Sequence, residues 1–187
     1  MGDPRVGRFR KHFPVYVYQN IAACLNERQG VGATILICCA IDTLSKYATA
    51  GSQLRGNKAR YIEFLTRYFP STYDPQAFYR FVRSGLVHAF DMERQYAILC
   101  SKETWAQQLH MMAPPGKKRP IVNPYVLFRH LKQAQKKLAD DLDADRVLRR
   151  HFVRVYRAAP IRPQNYTIGQ VREWIVRPEI TSNEKGS

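Results

Sequence analysis

The chain has 187 residues, the usual size of one domain with a short extension. Hydrophobic residues make up 45% of it, which predicts a packed core, with disorder expected only at the ends. The 30 Lys and Arg residues outnumber the 15 Asp and Glu residues and give a formal charge of +15, which favours a polyanionic partner, nucleic acid above all. The alternative is a basic surface that serves solubility and has no specific partner.

The four cysteines, at positions 24, 38, 39 and 100, show neither a Cys-x-x-Cys pair nor a histidine at zinc spacing. No structural metal, disulfide framework or cofactor is therefore predicted, and a reducing cytoplasm is the predicted location. The N-terminus is polar and basic and does not resemble a signal peptide. The longest apolar run, residues 33–41, is too short to cross a bilayer, so no membrane association is predicted.

Residues 1–12 are predicted to form a loose basic arm ahead of a helical bundle domain at 13–158. Apolar residues at helical spacing predict the first helices, at about 15–28, 33–47 and 58–68. The second of these is apolar nearly all round, which is typical of the middle of a bundle, and Asp42 is the exception within it. Asp74 and Pro75 predict the start of a fourth helix that continues to about residue 90, because they are an N-cap acceptor followed by proline at the first helical position.

A β-hairpin insertion is predicted at about 94–122. Residues 95–100 alternate weakly between apolar and polar and are predicted to be a strand, with 105–111 as the hairpin partner. Residues 120–122 are predicted to add a third short strand.

Two further helices are predicted at about 123–142 and 143–157, where apolar residues again recur at helical spacing. Residues 159–187 are predicted to be a C-terminal extension with one helix at 167–176 and a mobile end. The predicted fold class is therefore mainly α, a bundle of four to six helices with the small β-hairpin insertion.

The fourth predicted helix carries an arginine, a hydroxyl and a histidine among apolar residues: Arg83, Ser84 and His88. Burying such groups is costly unless they are paired, so this helix is expected to have a polar role. The Arg-x-x-x-x-His spacing occurs a second time, at Arg146 and His151, and chance makes one such match unsurprising. The second match lies among basic residues and is interpreted as a solvated or phosphate-facing surface.

The geometry of an ideal helix poses a difficulty for the first match. Arg80, Ser84 and His88 share one face, with Asp91 close by, whereas Arg83 lies about 140° away from His88. Arg83 can therefore reach His88 only through its long side chain, through a bend at Gly85, or from a second subunit. The last possibility predicts a homodimer whose seam pools the residues of two copies.

Residues 81–88, which follow the buried segment 38–44, resemble the signature of the HEPN superfamily of bacterial proteins. That family is an all-α, usually dimeric bundle whose signature is an arginine, a polar residue directly after it, and a histidine after four to six intervening positions. Arg83, Ser84 and His88 match those positions, although the family more often has Asn, Asp or His where Ser84 stands. The resemblance covers 15–90 and 123–156, and it leaves 95–122 and the tail unexplained.

The resemblance implies a metal-independent endoribonuclease, as a toxin or phage-defence effector with a possible antitoxin partner. In that chemistry the RNA 2′-hydroxyl is the nucleophile, His88 is the acid–base group and Arg83 braces the phosphate. Ser84 would orient the reacting groups, and Arg80 and Asp91 are candidates for supporting them.

Two alternatives remain open at this stage. One is a non-catalytic nucleic-acid-binding or nucleotide-binding protein of the same fold, and the other is a structural dimerising module in which Arg83 and His88 form only a subunit contact. For either RNA-related function, the predicted nucleic-acid contacts lie on basic turns and helices. They are Lys117, Lys118, Arg119, Lys132, Lys136, Arg149 and Arg150.

Overall fold

The structure is a computed structural model that describes residues 3–49 and 56–158. It is mainly helical, with one small two-stranded sheet, so the predicted all-α class is confirmed in its coarse form. The helices are α1 (Pro4–Phe13), α2 (Gln19–Asn26), α3 (Gly30–Ala48), α4 (Asn57–Tyr68), α5 (Pro75–Ala77), α6 (Gly85–Ala89), α7 (Thr104–Gln108), α8 (Pro124–Ala144) and α9 (Arg146–Ala158). A π-helical segment, Pro14–Tyr18, joins α1 to α2, and a second one, Phe78–Ser84, joins α5 to α6. The strands are β1 (Ala97–Ile98) and β2 (Ile121–Val122).

Helix α3 lies at the centre of the bundle and contacts α2, α4, α8 and α9. Its buried face includes Ile37, Ile41 and Leu44, all fully buried. The apolar run at 33–41 is thus part of a 19-residue helix, and by length and composition this helix could cross a membrane, contrary to the estimate from the run alone. Half of it is buried inside the bundle, and that burial accounts for its apolar character.

The N-terminal segment is not the loose basic arm that its charge predicts. Asp3 caps α1 by accepting a hydrogen bond from the backbone N–H of Arg5 at 2.8 Å. Val6, Phe9 and Phe13 follow at helical spacing and are fully buried. The apolar stripe of this segment therefore outweighs its charge, and α1 packs against α8 and α9.

The predicted helix starts at Asp74 and Asn123 are confirmed. The carboxylate of Asp74 accepts hydrogen bonds from the backbone N–H groups of Gln76 and Ala77, both at 3.0 Å, and Pro75 is the first helical residue. Asn123 caps α8 in the same manner, through the N–H of Tyr125 at 3.0 Å. These caps satisfy donors that a helix leaves free in its first turn.

The predicted β-hairpin is wrong, because β1 and β2 pair in parallel and not through a tight turn. Residues 105–111 do not form the partner strand, since most of that segment belongs to α7. A parallel pair needs a long crossover, and residues 99–120 supply it. The fully buried Asn123 fastens this crossover by donating from its amide to the carbonyls of Ser101 and Ala106. The extension predicted at 159–187, with its helix and mobile end, lies outside the described residues.

A chain of hydrogen bonds ties the crossover to the bundle through Tyr73, His110 and His130. The Nδ1 atom of His110 accepts from the backbone N–H of Asn123 at 2.9 Å, so its Nε2 donates to the Tyr73 hydroxyl at 2.6 Å. That hydroxyl in turn donates to Nδ1 of His130 at 2.9 Å. Burial, with His130 and Arg129 nearby, lowers the pKa of His110 to about 3. This chain therefore consists of neutral groups near pH 7.

Candidate functional site

Arg83, near the end of the π-helical segment, and His88, in α6, make contact within one chain. In a π-helix each N–H bonds five residues back, as the N–H of Gly85 does to the carbonyl of Arg80, and each turn is wider than in an α-helix. The NH1 atom of Arg83 lies 3.0 Å from Nε2 of His88. The long side chain of Arg83 therefore reaches His88 within one chain, and a second subunit is not needed to bring the two side chains together.

The hydrogen bond between Arg83 and His88 has only one direction. A guanidinium carries donors and no acceptor, so NH1 donates and Nε2 accepts. In this contact the imidazole is neutral and its hydrogen lies on Nδ1. His88 is exposed, and its accepting nitrogen is therefore held at the solvent-facing side of the guanidinium.

Gly85 closes the segment and fixes the loop that follows α6. A Cβ atom at this position would lie 2.1 Å from the backbone carbonyl oxygen of Asp91, closer than any real contact. The N–H of Asp91 donates to the carbonyl of Gly85 at 3.2 Å. Only glycine allows the backbone of α6 and the backbone of the loop at Asp91 to approach this closely.

Asp42 of α3 binds Arg83 through two hydrogen bonds. It was not among the predicted site residues. Its Oδ2 atom accepts from Nε of Arg83 at 2.9 Å and from NH2 at 2.7 Å. The two side chains are only 12% and 13% exposed, so this ion pair is largely shielded from water. Its other oxygen accepts from the amide of Asn57 at 3.2 Å, and Asn57 accepts from Arg60 at 3.1 Å. A carboxylate inside an apolar helix was the available signal, but the sequence did not show what it would contact.

The site contains one ion pair, Arg83 with Asp42, and the buried groups near it are neutral. Burial acts to lower the pKa of Arg83, but the hydrogen bonds and negative charge of Asp42 act in the opposite direction, and the net result is a raised pKa. The ring of Tyr79 lies beneath the guanidinium, with its centroid 5.5 Å away. Burial raises the pKa of Cys38 to about 12 and raises that of Tyr61 well above its usual value, so both groups stay neutral.

The remaining predicted site residues do not contact this pair. Ser84 is half-buried, and within the described residues its hydroxyl makes no hydrogen bond with Arg83 or His88. The guanidinium of Arg80 lies 3.9 Å from the carboxylate of Glu93, and the carboxylate of Asp91 accepts from the N–H of Glu93 at 3.0 Å. Arg80 and Asp91 thus contact Glu93 in the loop after α6, and neither of them supports the Arg83 and His88 pair as predicted.

The second Arg-x-x-x-x-His match does not form a comparable pair. His151 donates from Nε2 to the backbone carbonyl of Lys46 at 3.0 Å, and its Nδ1 accepts from Arg154 at 3.3 Å. Both ring nitrogens of His151 are occupied by these contacts. The structure therefore gives this histidine a packing role between α9 and the end of α3.

Three of the predicted nucleic-acid contacts line one groove. Lys117, Lys118 and Arg119 are exposed and border a groove of about 600 Å³ whose apolar lining includes Ala97 and Ile121. The groove therefore combines three cations with an apolar lining, and among the described residues no aromatic side chain lines it.

The other predicted nucleic-acid contacts lie on α8 and α9, and they differ in whether their side chains already have partners within the protein. The ammonium of Lys132 sits 4.7 Å from the centroid of the Phe128 ring, and Lys136 forms an exposed ion pair with Asp140 at 3.0 Å. Arg149 donates to two backbone carbonyls at the end of α8, at 2.9 and 3.3 Å, and so serves the helix terminus. Arg150 is exposed.

Among the described residues there is no group of three or more His, Cys, Asp or Glu side chains that could hold a metal ion. Comparison of the chain with protein-family models, with curated proteins and with solved structures gives no match.

Proposed function

We propose that this chain is a metal-independent endoribonuclease of the HEPN type. The observation that carries the proposal is the 3.0 Å contact between the shielded guanidinium of Arg83 and the exposed imidazole of His88. These two groups supply what RNA cleavage requires, a proton acceptor beside a fixed positive charge. A homodimer and an antitoxin partner remain predictions from the resemblance.

In the proposed reaction, Nε2 of His88 takes the proton of the RNA 2′-hydroxyl. The O2′–P bond then forms and the P–O5′ bond breaks, and the departing O5′ takes a proton from water. Arg83 faces the phosphate oxygens, where negative charge accumulates in the transition state. The incoming phosphate replaces Nε2 as the acceptor for NH1, which frees the imidazole lone pair for the 2′-hydroxyl.

Asp42 has a positioning role in this proposal. Because it occupies Nε and NH2 of Arg83, only NH1 and the outer edge of the guanidinium face the open side of the site. A guanidinium held before substrate arrives needs no reorganisation when the phosphate becomes more negative. Ser84 keeps its predicted orienting role only if substrate draws its hydroxyl towards the phosphate.

The Asp42 ion pair also favours a second candidate, a non-catalytic nucleic-acid-binding protein. All three guanidinium nitrogens already have partners, and the same contacts fasten the end of the fourth predicted helix to α3. In that case Arg83 and His88 would stabilise the bundle, and RNA would bind to the basic groove without being cut.

Cleavage of a single-stranded RNA in the presence of EDTA tests the first candidate against the second. We expect cleavage products that end in a 2′,3′-cyclic phosphate, and no cleavage of the same strand carrying 2′-deoxy sugars. His88→Ala should slow cleavage by about 100-fold or more while the melting temperature changes little, since His88 is exposed. Arg83→Lys should also lose activity, because an ammonium cannot bind Asp42 and a phosphate in the same planar geometry.

His151→Ala is the matched control, because it removes the histidine of the second match. This variant should cleave RNA at the wild-type rate. If purified wild-type chain binds RNA but leaves it intact under all of these conditions, the non-catalytic candidate replaces the nuclease.

A further inference from the structure

Phe90 is the most exposed large hydrophobic side chain among the described residues, at 76%. It directly follows α6, two residues after His88, and its neighbours Ala89 and Asp91 are exposed as well. The ring takes no part in the hydrophobic core. A phenylalanine that serves folding would be expected to bury its ring.

The backbone at Phe90 is also unfavourable for this residue. It has a φ of 53°, in the left-handed region, and ends α6 by donating its N–H to the carbonyl of Gly85. Glycine is the usual residue at such a helix end, because a side chain with a Cβ is strained there. Both the exposure and the conformation of Phe90 therefore work against stability, and it is the exposed ring that makes a role in binding a reasonable hypothesis.

Contacts among its neighbours order the loop that carries Phe90. The close approach of Gly85 to Asp91, the N–H of Glu93 on Asp91, and the ion pair of Glu93 with Arg80 order the segment on both sides of it. Phe90 is thus an exposed aromatic residue on an ordered loop, two positions after His88 in the sequence.

We propose that Phe90 stacks on a nucleobase of an RNA strand and so positions the adjoining phosphate at Arg83 and His88. This proposal rests on the proposed ribonuclease function. A planar ring stacks on any base and contributes binding without sequence readout. The observations favour RNA over a second copy of the chain, because Phe90 stands among exposed small and polar neighbours, whereas a subunit interface needs a broad apolar patch.

Three substitutions separate stacking from other roles of the ring. Phe90→Gly removes the ring and relieves the backbone, so the melting temperature should stay the same or rise by about 2–4 °C while kcat/KM for RNA falls by about tenfold. Phe90→Tyr retains a planar ring and should cleave at the wild-type rate. Phe90→Leu retains apolar volume without planarity and should resemble the glycine variant.

Trp105→Ala is the matched control, since Trp105 is another exposed aromatic residue, on α7, and is 56% exposed. It should leave cleavage unchanged. A readout that does not depend on activity is the fluorescence of an RNA strand containing 2-aminopurine, bound to the full chain with His88→Ala. Quenching on binding should be present with Phe90 or Tyr at position 90 and be lost with Gly.

The outcomes distinguish this proposal from the function on which it rests. If wild-type chain does not cut RNA but quenches 2-aminopurine in a manner that requires the ring, the nuclease fails and base stacking stands. If RNA is cut equally well by Phe90→Gly, stacking is overturned and the nuclease stands. A shift of Phe90→Gly to a smaller species in sedimentation would assign the ring to a contact between copies, and absence of any RNA binding would overturn both.

Discussion

The three nitrogens of Arg83 are divided between two partners with different exposure. Nε and NH2 bind the shielded carboxylate of Asp42, and NH1 faces the exposed His88. The side of the guanidinium towards α3 is therefore structural, and the side towards solvent is available for chemistry. This division explains how Asp42, Arg83 and His88 can lie on apolar helices without leaving a buried charge unpaired.

Asp42→Asn should lower the free energy of unfolding by about 1–3 kcal/mol, because it leaves the shielded Arg83 without its counter-charge. Urea denaturation measures this loss. Asp140→Asn is the control, since that carboxylate pairs with Lys136 and Arg10 at the surface and its removal should change stability little. Equal losses for the two variants would show that the Arg83–Asp42 pair is no more than a surface contact.

At the scale of single elements, the site lies at the junction between the π-helical segment and α6. Arg83 lies near the end of the π-helical segment, and its side chain contacts His88 of α6 at 3.0 Å. The close packing of Gly85 against Asp91 fixes the backbone at this junction. The segment costs regular hydrogen bonding and is of the kind found at functional sites.

Gly85→Ala should destabilise the protein by about 1–3 kcal/mol and impair cleavage, because its Cβ would collide with a backbone oxygen that no side-chain rotation can move. Gly7→Ala, in α1, is the matched control. A Cβ atom at this position has no neighbour within 4 Å, so the better helix propensity of alanine should stabilise the protein by about 0.5–1 kcal/mol. Thermal melts of both variants test the contrast, and two shifts of the same sign would contradict it.

The hydrogen-bonded chain through Tyr73 makes stability depend on pH. The pKa of His110 is about 3 in the folded protein and about 6.5 in the unfolded chain, so on acidification the unfolded state takes up the proton first. This histidine should therefore reduce the free energy of unfolding by about 1.4 kcal/mol per pH unit as the pH falls from about 6.5 to about 3. The pKa of His130 is lowered by burial as well and acts in the same direction.

His110→Asn retains an acceptor near the position of Nδ1 but does not titrate, so its stability should fall less steeply with pH than that of the wild type. Tyr73→Phe keeps the buried histidine, and it should be less stable at every pH with the steep slope preserved. Urea denaturation at several pH values between 4 and 8 measures the slopes. Parallel curves for wild type and His110→Asn would rule out this origin of acid sensitivity.

At the scale of the whole molecule, the basic residues behind the charge of +15 are distributed along the sequence, and the groove at Lys117, Lys118 and Arg119 brings three of them together. Other basic residues are engaged within the protein, as Arg149 is at the end of α8. Net charge alone therefore overstates how many cations are free to meet a polyanion, and the groove is the surface where we expect the strand to run.

Replacing Lys117, Lys118 and Arg119 by alanine should reduce the salt dependence of single-stranded RNA binding by up to about 2 in the slope of log K against log salt. Fluorescence anisotropy over a range of salt concentrations measures this slope. A control with the same loss of charge elsewhere, Arg8→Ala with Lys11→Ala and Arg157→Ala, should reduce the slope less. Equal reductions would mean that the chain attracts RNA by overall charge and not by this groove.

The sequence by itself determined the local features of this protein. Caps at Asp74 and Asn123, the apolar stripes and the apolar α3 all follow from interactions within a few residues, and each was predictable. The predictions of a β-hairpin and of a loose N-terminal arm were wrong. The short apolar run at 105–111 fits a helix as well as a strand, and the basic charge of residues 1–12 was given more weight than the apolar stripe of Val6, Phe9 and Phe13.

Only the tertiary structure decided what the motif residues touch. Asp42 and Arg83 are 41 positions apart, and Tyr73 meets His110 and His130 across still different elements. No periodicity within a segment specifies which buried polar group on one helix will face which group on another. The pairing of these groups is set when the helices pack, because a buried charge or donor is stable only where the neighbouring element supplies a partner.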